Sequence, residues 1–287
     1  MPRQIAPMKM MFGLLVLMAG AGPAQAWSGA SAWTDGPSSR ARLIAASETG
    51  SDGMVTLTAA VEIQIAPGWY TYWRNPGDAG GVPPDLDFKA SRNLAAATVM
   101  FPAPRRLHHA EGDTIGYARG VVLPVAVTAA DAAKPIQLAV TINYGVCKNI
   151  CVPEERTLTL ALDPAAGSDT PAGKVLHRAL AEVPADAAKD AKAPQIVAVK
   201  LQTADGKPAL LIEAVFPAGA SGADLFIEAA DKSYVPLPSS LADSGDGIVR
   251  FRLDLSKSDD LKAPSGKQLR LTLVSDAGAS ESLRTIP

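Results

Sequence analysis

The chain has 287 residues, 47% hydrophobic, 5% aromatic and 20% charged, with a formal net charge of −2. A weakly acidic chain without basic runs argues against nucleic acid and anionic membrane surfaces as partners. No phosphate loop, dinucleotide fingerprint or Ser/His/Asp grouping is present, so no cofactor is expected.

The N-terminus reads as an export signal. Arg3 and Lys9 supply a positive start, Met10–Gly20 (MMFGLLVLMAG) an apolar run, and Ala24-Gln25-Ala26 a small-x-small cleavage site. The run is too short to span a membrane, which takes about 20 apolar residues. A signal peptide over 1–26 is expected, with the mature chain starting at Trp27. Cleavage removes two cations and no acid. No second run of spanning length follows, so the mature protein is expected in the periplasm or outside the cell.

Strand patterns follow. Arg40–Ala46, Met54–Ile65, Val121–Thr128, Ile136–Tyr144 and Arg156–Leu162 alternate in character and carry β-branched residues. Gly and Pro clusters separate them, and Gly77–Pro84 (GDAGGVPP) reads as a long loop. Trp69-Tyr70-Thr71-Tyr72-Trp73 alternates faces along a strand, with Trp69 and Trp73 assigned to the core. Arg74, Asn75 and Asp78 are read as fixing the loop that follows.

Between Asp163 and Pro194, Ala, Asp and Pro dominate. Val175, Leu176, Leu180 and Val183 have helical spacing, so a short helix is expected in Thr170–Val183. Strands resume at Ile196–Leu201, Ala209–Phe216, Asp224–Glu228, Ile248–Leu255 and Gln268–Val274, as in a small antiparallel sandwich. The expected organisation is a first β domain over 27–163, a connector over 164–193 and a second β-sandwich over 194–287. The fold class is all-β.

The two cysteines, Cys147 and Cys151, lie between strands with three residues between them, so they face each other across a hairpin end. Opposed residues in an antiparallel pair have Cα atoms about 4.5–5.5 Å apart, a separation that a disulfide accepts. In an oxidising compartment two nearby cysteines pair. The staple effect of so short a loop is only about 2 kcal/mol, against almost 5 for a 100-residue loop. Lys148 adjoins Cys147 and favours its thiolate. These arguments leave a working disulfide and a structural one equally open. A metal site is a third option, since His108 and His109 can offer nitrogen ligands, but the spacing is not a zinc signature and no methionine-rich copper site is present.

Three stretches together point further: Gly68–Gly80 (GWYTYWRNPGDAG), Phe101–Arg106 (FPAPRR) with Gly116-Tyr117 and Val122–Val125 (VLPV), and Tyr144–Glu154 (YGVCKNICVPE). The combination resembles the periplasmic N-terminal region of the DsbD family of thiol:disulfide interchange proteins, in particular its ScsB-like branch associated with copper-stress tolerance. The resemblance implies an immunoglobulin-like β-sandwich carrying a redox cysteine pair, here Cys147 and Cys151. It implies electrons taken from a membrane-embedded domain and passed to periplasmic thioredoxin-fold proteins. This chain shows no membrane domain, so a separate membrane electron-transfer protein is the expected reductant. Tyr70 and Tyr72 match aromatic positions near the cysteines. His108–Thr114 (HHAEGDT) occupies the place of the loop that caps the site in DsbD. Two departures stand out: DsbD has five residues between its cysteines, and its cap carries aromatic residues where this chain has His108, His109, Glu111 and Asp113.

The leading expectation is therefore a periplasmic thiol–disulfide exchange protein. Cys147 and Cys151 are its reacting residues, and Tyr70, Tyr72, Lys148, His109, Glu111 and Asp113 lie beside them. Glu111 and Asp113 are candidate proton acceptors. Cys147 has the lysine neighbour, whereas the resemblance favours Cys151 as the sulfur that links to a partner. The alternatives are a partner-binding module whose disulfide only pins the hairpin, and a copper-stress metal-binding protein. No metal ligand set is assigned.

Overall fold

Alternating side chains carry much of the described chain into strands. The computed structural model describes residues 29–49, 55–109, 112–162, 167, 169–204, 206–231, 233–241, 247–261 and 264–286. The expected signal peptide and its cleavage site lie outside the described residues.

In chain order the strands of the first part are β1 (Thr34–Asp35), β2 (Ser39–Thr49), β3 (Val55–Ile65), β4 (Tyr70–Tyr72), β5 (Asp85–Asp87), β6 (Leu94–Val99), β7 (Arg105–Leu107), β8 (Thr114–Tyr117), β9 (Gly120–Ala129), β10 (Ile136–Cys147) and β11 (Cys151–Leu162). Helix α1 (Pro171–Ala181) follows. Then come β12 (Ala185–Asp186), β13 (Gln195–Ala204), β14 (Lys207–Val215), β15 (Asp224–Ala229), β16 (Ser239–Ser240), β17 (Val249–Asp254), β18 (Gln268–Ser275) and β19 (Gly278–Thr285).

Two sheets make the first sandwich. One runs β1-β2-β3-β9-β6; the other runs β11-β10-β4-β8-β7, with β5 also paired to β10. Their inner faces meet in one core, with Leu43, Val61, Ile63 and Leu123 on one side and Leu138, Val140, Ile142 and Tyr144 on the other. Each such buried side chain contributes about 1.5–3 kcal/mol relative to exposure. The second sandwich packs β12-β19-β18-β15 against β13-β14-β17-β16 around Leu210, Ile212, Phe251, Leu253 and Leu271. The all-β, immunoglobulin-like expectation holds for this architecture.

The helix forms where the apolar spacing places it. Thr170 caps it, its hydroxyl accepting from the Gly173 N–H at 2.9 Å, and Pro171 sits in the first turn, where its missing N–H costs nothing. Ala172 and Leu176 pack on Ile44, Ala46 and Ala60, covering the outer face of the first sandwich. The helix therefore belongs to the packing of that sandwich rather than hanging between two units. Just after it, β12 pairs in parallel with β19 of the second sandwich.

The two sandwiches are in contact. Phe226 and Val274 of the second join the core cluster of the first, and the Trp73 and Phe226 rings lie 5.9 Å apart. The end of β4 thus runs directly into this junction.

A candidate thiol–disulfide site

Strands β10 and β11 form a long hairpin whose register ends at Cys147 opposite Cys151. The two are disulfide-bonded, with Cα atoms 4.1 Å apart. Lys148, Asn149 and Ile150 make the turn, closed by the Lys148 N–H donating to the Ile150 carbonyl at 3.0 Å.

Parity decides which face the bridge occupies. Along β10 the even-numbered Leu138, Val140, Ile142, Tyr144 and Val146 point into the core. Cys147 is odd, so its sulfur lies on the outer face of the sheet. Strand β4 pairs with β10 so that Cys147 faces Tyr70 and Val146 faces Thr71. Tyr70 and, two residues on, Tyr72 therefore share the disulfide's face, while Thr71 and Trp73 turn inward. Both are fully buried. The Thr71 hydroxyl donates to the Gly145 carbonyl at 2.8 Å and fixes this pairing.

Tyr72 lies over the bridge. Its Oη is 2.9 Å from Cys147 Sγ and 3.2 Å from Cys151 Sγ. A disulfide sulfur carries no hydrogen, so the phenol donates. The ring fits because two glycines make room. A Cβ on Gly81 would stand 2.2 Å from Tyr72 Cε1, and one on Gly145 would stand 3.1 Å from Cε2. Burial, with Tyr70 adding to it, pushes the Tyr72 phenol up to about 12, so it keeps its proton at any physiological pH.

The two sulfurs are not equivalent. Cys147 is fully buried under Tyr72, whereas Cys151 is exposed. Two apolar side chains nearby are exposed, Ile150, next to Cys151 in the chain, at 68% and Val82, beside Gly145, at 46%. Val82 is held in place by its carbonyl, which accepts from the Gly145 N–H at 2.9 Å. Lys148 is exposed and folds back over Gly68.

The loop between β7 and β8 borders the aromatic pair. The His109 ring stacks on Tyr70 with centroids 4.6 Å apart, and Tyr70 meets Tyr72 edge-on at 5.7 Å. His109 thus covers one face of Tyr70. Asp113 is engaged within its own loop, where its carboxylate accepts from His108 Nδ1 at 2.8 Å and pairs with Arg106 at 3.4 Å. Burial alone would raise its pKa, but the bonds from His108 and Arg106 prevail and hold it below the ordinary value. Glu111 lies outside the described residues. His108 is exposed at the loop's edge.

Cys147, Cys151, Tyr70, Tyr72 and His109 are therefore brought together. The spacing of the sequence does not reveal Gly81, Gly145, Val82 or Ile150, although the Gly-rich run at 77–84 marks a close backbone approach. Among the described residues no group of three or more His, Cys, Asp or Glu side chains is arranged to hold a metal.

Comparisons place this geometry. Residues 41–163 match the family model described as "Thiol:disulfide interchange protein DsbD, N-terminal". The crystal structure of the N-terminal periplasmic domain of ScsB from Proteus mirabilis matches with a TM-score of 0.68 at 21% identity, over 91% of this chain and 99% of that one. Bovine butyrophilin matches with a TM-score of 0.20 at 13% identity, over 80% and 91% of the two chains, too low to bear on the fold. No curated protein matches. Residues 41–163, with the disulfide hairpin among them, are thus an N-terminal domain of the DsbD thiol:disulfide interchange family, set in a chain that shares its fold with the ScsB periplasmic domain.

Proposed function

We propose that the protein is a periplasmic thiol–disulfide exchange module that passes electron pairs between thioredoxin-fold partners and a separate membrane reductant. Residues 27–163 serve as the redox sandwich, 164–193 as the connector and 194–287 as the second sandwich, after removal of a signal peptide over 1–26. No helix among the described residues is long and apolar enough to cross a membrane.

The single observation that carries this reading is the asymmetry of the bridge: an exposed Cys151, a buried Cys147, and the Tyr72 hydroxyl within reach of both sulfurs. A partner's thiolate attacks Cys151 Sγ, because Cys151 is the exposed one of the two cysteines. The Cys147–Cys151 bond breaks, and a mixed disulfide forms on Cys151. Cys147 leaves as a thiolate, which the Tyr72 O–H stabilises by donating to it. The partner's second thiol then attacks the partner sulfur of the mixed disulfide and releases Cys151. Two electrons and two protons have moved from the partner dithiol to the pair, and the partner leaves oxidised. The same steps run backwards deliver the pair to another protein's disulfide. Ile150 and Val82 supply an apolar rim on which a partner's active-site loop can rest.

Trapping tests this directly. A Cys147→Ala chain keeps the exposed Cys151 and should accumulate mixed disulfides with thioredoxin-fold proteins, while Cys151→Ala should not. Equal trapping by both, or by neither, defeats the assignment. A reduction potential below about −300 mV would place the bridge with inert structural disulfides instead.

A further inference from the structure

Two segments frame the disulfide, Tyr70–Gly81 and Arg105–Asp113, and both are fastened to the second sandwich. Arg74 makes a two-pronged pair with Glu228 at 2.9 and 2.7 Å and also meets Glu281. The Asp78 carboxylate accepts from Tyr234 Oη at 2.9 Å and from the Leu237 N–H at 3.1 Å. On the other segment Arg106 is the fastening. Its Nε and Nη2 donate to the two oxygens of Asp224 at 2.9 and 2.8 Å, and Nη2 also donates to the Pro238 carbonyl at 3.0 Å. The remaining Nη1 faces Asp113 at 3.4 Å.

We propose that Arg106 is a positioning residue for the disulfide: anchored on Asp224 of the second sandwich, it holds Asp113, and with it His108, in place and so keeps the His109 ring stacked on Tyr70. The proposal rests on the thiol–disulfide reading above and assigns the second sandwich a part in it. The geometry forms one connected path. Arg106 on β7 pairs with Ile115 on β8, so the turn it holds is the tip of that hairpin. Asp113 is gripped by both Arg106 and His108. His109, on the same turn, covers Tyr70, and Tyr70 abuts Tyr72, whose hydroxyl touches both sulfurs. A guanidinium suits this role because its planar fork can satisfy one carboxylate with two donors and still present a third to another group. The Arg106 side chain is only 16% exposed, which shields the pairs from solvent.

The test uses the full-length oxidised chain and dithiothreitol, which reduces the bridge to two thiols and leaves as its own cyclic disulfide; thiol alkylation follows the rate. Arg106→Gln, Asp224→Asn and Asp113→Asn should each be reduced about fivefold faster than the parent, the effect on loop opening of losing a partly exposed ion pair. In a His109→Ala background these substitutions should add nothing further, because the ring they position is gone. Arg106→Gln or Asp224→Asn reduced at the parent rate overturns the proposal, as does a gain that persists in full without His109. Should Arg106→Gln fail to fold, Asp113→Asn decides, since it leaves the Arg106–Asp224 pair intact. Dithiothreitol needs no protein partner. Loss of trapping by the single-cysteine chain, alongside the expected dithiothreitol rate gains in the variants, would therefore count against the exchange reading and not against this one.

Discussion

Tyr72 and Cys147 meet across two strands, phenol oxygen to sulfur at 2.9 Å, with both side chains buried. A hydrogen bond to a charged acceptor is stronger than one to a neutral acceptor. The contact is therefore worth more when Cys147 is a thiolate than when it is half of a disulfide. Tyr72→Phe should make the pair harder to reduce, by about 1 kcal/mol or roughly 20 mV, and should raise the Cys147 thiol pKa. Equilibration against a glutathione redox series measures the shift. An unchanged potential means that Tyr72 only fills space.

Gly81 and Gly145 make room for the Tyr72 ring. Gly81→Ala combines a contact at 2.2 Å with a φ of +151°, whereas Gly145→Ala meets only contacts of 3.1 Å and longer. Overpacking costs typically 1–3 kcal/mol. Urea unfolding should show Gly81→Ala at or above the top of that range and Gly145→Ala near its bottom. The reverse order would show that the ring moves aside freely at Gly81.

The bridge closes a very short loop, so removing it should cost little. Cys147→Ala with Cys151→Ala should lower unfolding free energy by about 2 kcal/mol or less while leaving the far-ultraviolet spectrum intact. A collapse of the fold would mark the disulfide as a staple and remove the main reason for a working role.

Acid should weaken the junction between the sandwiches. Burial alone would raise the Glu281 pKa, but Arg74 and Arg270 prevail and hold it below the ordinary carboxylate value. A depressed folded pKa means stability that is fully present above the unfolded value of about 4.3 and is lost as pH falls through the folded one. Urea midpoints should therefore drop as pH falls below about 4. Arg74→Met should lower the midpoint at neutral pH and flatten part of this acid loss, because the partner is already missing. Identical pH profiles with and without Arg74 would show that the pair carries no coupling.

Much of this molecule is legible in its sequence because the determinants are local. Period-two alternation marks β2, β3, β9, β10 and β11, and Thr170 with Pro171 opens α1 within the expected stretch. Parity along Trp69–Trp73 already separates Tyr70 and Tyr72 from the inward Thr71 and Trp73. The turn between Cys147 and Cys151 sets their pairing, since a hairpin this tight leaves the two sulfurs nowhere else to go. Short strands such as β6, and the late strand β19, are weaker signals: β6 is Ala-rich and β19 is mostly polar, so neither shows a clean apolar face.

The difference between the two sulfurs was decided elsewhere. Cys147 is buried because a tyrosine from β4 lies over it, in space left by glycines at 81 and 145, and those residues are up to 75 positions apart in the chain. In the sequence Arg74 and Asp78 read as fixing their own loop and Arg106 only as the end of the FPAPRR stretch, until Glu228, Tyr234 and Asp224 arrive from the second sandwich to meet them. Strand pattern and turn chemistry act over a few residues and are written in order. Burial and ion pairing depend on which distant surfaces come together, so only the assembled core could assign them.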